Sequence, residues 1–152
     1  MNYWAYKNLG KTEKITSIGE MPAGVTGFVY EVTFDDGTRY IGKKNLYGTR
    51  TMKPLKNGKE RENSTRIVKN TKKGYRQAWD IVRKESDWLK YQGSHKACQE
   101  KIVKGKLILE YAFSPRHLTY LEAKYLFTYQ VLEHPKYLND NILGSFFRGN
   151  LV

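Results

Sequence analysis

The alternation of hydrophobic and polar residues is clearest between residues 27 and 44, where it predicts two strands joined by a tight turn. Every second side chain of the first strand is large and apolar or aromatic, as a half-buried strand requires: Phe28, Tyr30, Val32 and Phe34. Asp35-Asp36-Gly37 forms the turn, because glycine adopts a positive φ at little cost. The second strand runs from Thr38 to about Asn45.

The length of this turn decides which side chains of the two strands meet. A three-residue turn places Val32 opposite Tyr40 and Tyr30 opposite Gly42, so Tyr30, Tyr40, Gly42 and Lys44 share one face. A two-residue turn would separate Tyr30 from Tyr40, because a slip of one residue sends every side chain to the other face. We favour the three-residue turn. The resulting cluster is typical either of an aromatic pair in the core or of a functional surface.

Two later segments have helical signals. From Gln77 the apolar residues follow a helical spacing, and Ser94 is a good N-cap for a second helix from about His95 to Lys104. The amide groups of such a first turn, with Lys96 beside them, would suit a phosphate. An ordinary helix cap explains Ser94 equally well.

A strand and a longer helix are predicted near the C-terminus. Residues 106–113 form the third strand, and Thr119 with Glu122 matches a capping box for a helix that runs to about Leu132. Glu122 therefore either caps this helix or holds a hard divalent cation. Together the elements predict an α+β fold, with a small three-stranded antiparallel sheet flanked by helices and residues 1–26 packed on it.

Basic residues change this picture of a plain α+β domain. The 152 residues contain 27 Lys or Arg and 15 Asp or Glu, and the net charge of +12 favours a polyanionic partner. Ten of these cations, against two acids, lie between residues 50 and 76. This segment is either a flexible arm that orders on nucleic acid or a solvated insertion. The expected nucleic-acid contacts are Arg50, Arg66, Lys69, Lys72, Lys73, Arg76, Trp88 and Ser94.

Cysteine and histidine exclude some other functions. Cys98 is the only cysteine, so an intrachain disulfide is impossible and a structural zinc site is disfavoured. His95, His117 and His134 have no ligand spacing, and we expect them to be structural or exposed. Neither a signal peptide nor an apolar stretch of 18 residues is present, which predicts a cytoplasmic protein without membrane contact.

Four stretches resemble the GIY-YIG nuclease family. In Phe28-Val29-Tyr30 and Tyr40-Ile41-Gly42 the two tyrosines stand ten residues apart, as in the paired motif, although Gly-Ile-Tyr is usual in the first tripeptide. The stretch from Asp87 to Lys96 is similar to one in small phage-encoded members described as homing endonucleases. Leu121-Glu122-Ala123-Lys124-Tyr125 and Tyr137-Leu138-Asn139 complete the resemblance, which covers most of the chain from residue 27 onward.

The resemblance implies a metal-dependent endonuclease that hydrolyses phosphodiester bonds of double-stranded DNA, with Mg²⁺ or Mn²⁺ as cofactor. By position, Tyr30 would help to hold the attacking water, and Tyr40 would be the general base or its relay. Glu122 would be the single acidic metal ligand, and Asn139 would support the site. The nuclease domain would span residues 27–152, with the basic insertion at about 48–76. A homodimer on DNA would allow both strands to be cut.

The catalytic arginine of the family has no counterpart at the expected place in this sequence. Lys44 is the first substitute, because the predicted register places it beside Tyr40, where its charge would lower the pKa of the phenol. Lys96 is the second substitute and Arg76 the third. The altered first motif and the missing arginine also support an alternative function, a nucleic-acid-binding protein of the same fold with weak or no cleavage.

Overall fold

The computed structural model of the chain describes residues 2–151. The strands are β1 (Trp4–Asn8), β2 (Lys11–Ile15), β3 (Gly27–Phe34), β4 (Arg39–Asn45), β5 (Tyr47–Met52), β6 (Ser64–Asn70), β7 (Arg76–Glu85), β8 (Val103–Ala112), β9 (Asn141–Ile142) and β10 (Phe146–Phe147). The α-helices are α1 (Lys96–Gln99) and α2 (Pro115–Thr128), and short 3₁₀ turns occupy Ile18–Glu20 and Arg148–Asn150. The chain divides into two compact units, of which the second is Tyr47–Ser86 and the first holds the remaining described residues.

The first unit contains a five-stranded sheet in the order β2-β1-β8-β3-β4. Its members β8, β3 and β4 are the three antiparallel strands expected from the sequence. The prediction of only three strands is wrong, because β1 pairs parallel to β8 and β2 pairs antiparallel to β1. The sequence pattern does not reveal these two strands, because only Trp4 and Ile15 are fully buried and most of the other side chains are exposed.

The hairpin of β3 and β4 has the predicted three-residue turn. Val32 lies opposite Tyr40 and Tyr30 opposite Gly42. The Gly37 amide donates to the Phe34 carbonyl at 2.9 Å, and Gly37 has a φ of 85°. The register prediction is therefore confirmed, and the even-numbered residues of β4 share one face of the sheet with Tyr30.

Helix α2 covers the opposite face of the sheet. Its residues Leu118 and Leu121 pack in one buried cluster with Val29 of β3 and Ile41 of β4. The predicted capping box is wrong, because the helix begins earlier, with Pro115 in its first turn and the Ser114 hydroxyl accepting from the His117 amide. Proline in a first turn and serine before it are the stronger start signal.

The second helix prediction also needs correction. Only α1, a single turn, forms where residues 95–104 were expected to be helical. Its N-cap is His95 rather than Ser94, since His95 Nδ1 accepts from the Ala97 amide at 3.1 Å. Within residues 2–151 no helix is both long and apolar enough to cross a membrane.

The second unit is a three-stranded antiparallel sheet in the order β5-β7-β6. The expectation of a flexible arm is therefore wrong, because the segment is an ordered and largely exposed sheet, and so is that of a helix from Gln77. The apolar residues Trp79 and Ile81 lie two positions apart on one face of β7, as a strand requires. On the other face Asp80 is buried, and its carboxylate is held by Arg66 at 2.8 Å and Arg61 at 3.6 Å.

Candidate active site

The two motif tyrosines meet on one face of the hairpin. The rings of Tyr30 and Tyr40 have centroids 6.3 Å apart, and Tyr30 lies directly opposite Gly42. A Cβ at position 42 would lie 2.6 Å from Tyr30 Oη and 3.0 Å from Tyr40 Cε1. Any larger residue at position 42 would therefore collide with the two tyrosine side chains. This steric conflict explains why the second motif has a glycine here.

The Tyr30 side chain is enclosed by other rings. It is fully buried and lies 5.2 Å from the Trp4 ring and 6.0 Å from the Tyr91 ring, between centroids. Burial, together with the nearby phenol of Tyr40, raises the pKa of Tyr30 well above its ordinary value. Its hydroxyl has no hydrogen-bond partner among the described residues. A buried hydroxyl without a partner costs stability, so packing alone does not account for it.

The segment Gly93-Ser94-His95 lies against Tyr40. Gly93 has a φ of 124°, and a Cβ there would come within 3.2 Å of Tyr40 Cδ1, so this position also requires glycine. The Ser94 hydroxyl forms a hydrogen bond of 2.5 Å with Tyr40 Oη. Ser94 is therefore a partner of the phenol rather than the helix cap that the sequence predicted.

A cavity of about 310 Å³ opens beside Tyr40 at the edge strand β4. Tyr40 belongs to one face of the sheet and Glu122 to the helix on the other face, and both line this cavity. The remaining walls come from the Ser94 segment and from the chain after α2. The lining residues are Tyr40, Ile41, Ser94, His95, Glu122, Leu126, Asn139, Asp140, Asn141 and Leu143. Most of them carry hydrogen-bonding groups, as a site for a phosphate and water would.

Burial raises the pKa of the half-buried Glu122, and the nearby Lys43 charge and amide oppose this increase. Lys43 Nζ itself donates to Thr119 Oγ1 at 3.0 Å. Within residues 2–151 no three His, Cys, Asp or Glu side chains form a metal-binding cluster. A cation bound by Glu122 would therefore complete its shell mostly with water and substrate, which suits Mg²⁺.

Asn139 ties the chain after α2 to the edge strand. Its Oδ1 accepts from the Ile41 amide at 3.1 Å, and its Nδ2 donates to the Ile41 carbonyl at 2.7 Å. Alongside it, the Leu138 amide donates to the Arg39 carbonyl at 2.8 Å. Because both ends of the carboxamide bind the backbone next to Tyr40, Asn139 positions the edge strand at the cavity.

His95 and Asp140 form a pair at the cavity wall that the sequence analysis missed. His95 Nε2 lies 2.6 Å from Asp140 Oδ2. His95 Nδ1 already accepts from the Ala97 amide, so the proton of the neutral ring lies on Nε2 and is donated to Asp140. Forty-five positions separate the two residues, and neither stands in a motif with the other, so the sequence offered no signal for the pair.

The expected effect of Lys44 on Tyr40 is wrong. Lys44 Nζ binds Asp87 Oδ1 at 2.6 Å and lies 3.9 Å above the Tyr91 ring, outside the set of residues that line the cavity. Burial raises the pKa of Tyr40 to about 12, although the Ser94 hydroxyl opposes the increase. Tyr40 is therefore a neutral phenol at neutral pH.

The other two substitutes for the family arginine are also absent from the cavity lining. Lys96 is exposed on α1, and Arg76 lies on β7 in the second unit. The positively charged side chain that lowers the pKa of Glu122 is that of Lys43. This residue directly follows the second motif and was not singled out from the sequence. No arginine lines the described cavity.

The expected nucleic-acid contacts divide into three groups. Trp88 is 1% exposed and packs edge-on against Phe28 at 6.3 Å between centroids, so the prediction that it contacts nucleic acid is wrong. Ser94 lines the cavity. The remaining six expected contacts are cations of the second unit, and all are exposed, although Arg66 is engaged by Asp80: Arg50, Arg66, Lys69, Lys72, Lys73 and Arg76.

Comparison with known proteins gives one result for this chain. A family model described as "Putative endonuclease segE, GIY-YIG domain" matches residues 9–142. The matched range includes both tyrosines, Glu122 and Asn139, together with the whole second unit. No curated protein and no solved structure matches the chain.

Proposed function

Because this chain belongs to the GIY-YIG family of endonuclease domains, we propose that it is a metal-dependent endonuclease that hydrolyses phosphodiester bonds in double-stranded DNA at the cavity beside Tyr40. One observation carries the proposal. Tyr40 and Glu122 come from opposite faces of the sheet and are 82 positions apart, yet both line the same polar cavity. Neither core packing nor helix capping requires this arrangement.

Glu122 is the residue that would hold the cation. Its carboxylate is partly removed from water, and within residues 2–151 no salt bridge neutralises it directly, since Lys43 donates its hydrogen bond to Thr119. A bound Mg²⁺ or Mn²⁺ would polarise the phosphate and stabilise the leaving oxygen. A cation next to Glu122 would also remove the cost of ionising a half-buried carboxyl group.

Tyr40 acts as an oriented phenol rather than as a preformed base. With a pKa near 12 it keeps its proton at neutral pH. When that proton is donated to Ser94 Oγ, a lone pair of Tyr40 Oη remains to accept a hydrogen bond from water. Tyr40 and Ser94 together would thus orient the attacking water, and Tyr30 would fix the Tyr40 ring from the neighbouring strand.

The His95–Asp140 pair would support the opposite side of the attacking water. His95 donates to Asp140 Oδ2 and keeps that carboxylate at the cavity wall, where it can accept a hydrogen bond. The pair also connects the Ser94 segment to the chain after α2. It would therefore hold in place the two walls that do not belong to the sheet.

A second function deserves a test because no arginine lines the described cavity and Lys44 is engaged by Asp87. In this second function, the chain would bind DNA without cutting it. Incubation of supercoiled plasmid with the protein and Mg²⁺ or Mn²⁺ distinguishes the two, with EDTA as control. Metal-dependent nicking or linearisation is the expected result. Salt-sensitive binding with intact plasmid at every metal concentration would favour the binding protein.

The cellular part of the proposal rests on the family alone. It is a homing-type or host-DNA-degrading role for a phage-encoded enzyme in the cytoplasm of the host. Two copies on one duplex would be needed to cut both strands with one active site per chain. Nicking by the monomer and double-strand cleavage at higher protein concentration are the expected plasmid products.

A further inference from the structure

The second unit carries most of the net charge of the protein. Residues 47–86 contain twelve Lys or Arg and four Asp or Glu, a net +8 out of the +12 of the whole chain. One of these acids, Asp80, is buried and engaged by Arg61 and Arg66. A positive charge of this density in 40 residues is complementary to a nucleic-acid backbone.

The hairpin of β6 and β7 extends beyond β5 as a two-stranded ribbon. The last residue of β5, Met52, pairs with Asp80, whereas β6 and β7 continue to pair from Ile67 opposite Trp79 to Asn70 opposite Arg76. The turn is Lys72-Lys73-Gly74, in which the Thr71 amide donates to the Tyr75 carbonyl at 2.8 Å. We call residues 67–79 the basic ribbon.

The basic ribbon contains no acidic residue. It carries four cations, Lys69, Lys72, Lys73 and Arg76, and all four are exposed. None of them forms an ion pair within residues 2–151, whereas Arg61 and Arg66 nearby are held by Asp80. Charge that no internal partner neutralises, on an ordered scaffold, is available to an external one.

The two faces of the basic ribbon differ. Asn70 lies opposite Arg76 and Val68 opposite Ala78, so these four side chains share a face. Val68 is half exposed on this face, whereas Ile67 and Trp79 on the other face are both partly buried. Arginine and asparagine are the side chains that read guanine and adenine, and small apolar groups contact the thymine methyl.

From this geometry we propose that the basic ribbon enters the major groove of double-stranded DNA. The face of Asn70 and Arg76 contacts the base edges, while Lys72 and Lys73 contact the flanking phosphates. The major groove of B-form DNA admits a two-stranded ribbon, whereas that of double-stranded RNA is too narrow for side chains to read. The proposal rests on the proposed endonuclease function for the choice of DNA, and it assigns sequence recognition to the second unit.

The test measures binding to a labelled DNA duplex by fluorescence anisotropy in EDTA, so that cleavage does not contribute. Each phosphate contact adds roughly 0.9 to the slope of log affinity against log salt. Lys72→Ala/Lys73→Ala should reduce that slope by about 2 and weaken binding equally for all sequences. The matched control is Lys56→Ala/Lys59→Ala, the same charge change in the same unit outside the ribbon, and it should leave the slope nearly unchanged. Equal effects of the two pairs would overturn the proposal, since binding would then follow net charge alone.

Sequence recognition is tested by selection from a randomised duplex. Arg76→Ala should lose the preference at one base pair, by roughly 5-fold to 150-fold, and keep the salt slope within about 1. Unchanged selection by Arg76→Ala, or equal binding of duplex RNA and duplex DNA, would overturn the proposal. The plasmid assay distinguishes failure of the ribbon proposal from failure of the endonuclease proposal. Cleavage with no effect of ribbon variants refutes the ribbon alone, and ribbon-dependent binding without cleavage refutes the endonuclease alone.

Discussion

Removal of the Tyr30 hydroxyl should make the protein more stable and less active. The hydroxyl is buried, and none of the described residues forms a hydrogen bond with it. An unsatisfied buried polar group costs about 1–3 kcal/mol, whereas an ordinary tyrosine-to-phenylalanine change removes a hydrogen bond and destabilises. Tyr30→Phe should therefore raise the free energy of unfolding by about 1 kcal/mol. For a chain of this length that corresponds to an increase in Tm of roughly 2–4 °C.

The structure provides a matched control for this substitution. Tyr111 on β8 is also buried and its hydroxyl also lacks a partner among the described residues, but its ring packs on Tyr6, whereas the Tyr30 ring packs on Tyr40. Tyr111→Phe should give a similar increase in stability without changing DNA cleavage. Tyr30→Phe, in contrast, should reduce the single-turnover cleavage rate by up to about 10²-fold, because a small displacement of the Tyr40 phenol that Tyr30 positions can cost that much.

Urea unfolding followed by tryptophan fluorescence is the appropriate assay, because Trp4 lies 5.2 Å from the Tyr30 ring and reports on this core. A loss of stability in Tyr30→Phe would show that the hydroxyl is satisfied in solution and would refute the physical argument. Wild-type cleavage by a stabilised Tyr30→Phe would show that the hydroxyl serves no catalytic purpose.

The remaining predictions concern three other groups. Gly42→Ala should destabilise the first unit by about 1–3 kcal/mol and abolish cleavage, because the new Cβ would lie 2.6 Å from Tyr30 Oη; an unchanged urea midpoint would contradict this. Burial lowers the pKa of Lys106 to about 8, so the unfolded chain binds more protons above that pH, and stability should rise between pH 8 and 9.5. Lys106→Met should lack this rise in a series of urea titrations, and a parallel rise in the variant would locate its source elsewhere. Asp140→Asn should slow cleavage at least about 10-fold with DNA affinity retained, and an unchanged rate would remove the His95–Asp140 pair from the mechanism.

The hairpin could be predicted from the sequence because the residues that determine its turn and register are adjacent in the chain. Three consecutive residues, Asp35-Asp36-Gly37, fix the turn, and the turn fixes the register that brings Tyr30 and Tyr40 together. Helix α2 was predicted for a similar reason, since its apolar positions repeat within one segment. Its start was misplaced because Thr119-x-x-Glu122 matches a capping box by chance, while Ser114-Pro115 is the true start.

Other features depend on contacts that no local pattern encodes. The segment from Gln77 onward was predicted as helical because three apolar residues in a short window fit either the helical or the strand period. Only the pairing of β7 with β5 and β6 makes it a strand. Trp88 was assigned to nucleic acid from its residue type, and its burial against Phe28 arises from a chain segment 60 positions away. The hydrogen bond between His95 and Asp140 likewise joins residues that are far apart in the sequence, and only the folded structure brings them together at the cavity.

The central claim is that Glu122 and Tyr40 form one active site. Its most direct test is single-turnover cleavage of a DNA duplex in Mg²⁺ by the wild type, Glu122→Gln and Tyr40→Phe, each at a protein concentration that saturates the DNA. We expect cleavage by the wild type alone, with both variants slower by at least about 10²-fold and with unchanged DNA affinity in EDTA. Cleavage at the wild-type rate by either variant would contradict the claim.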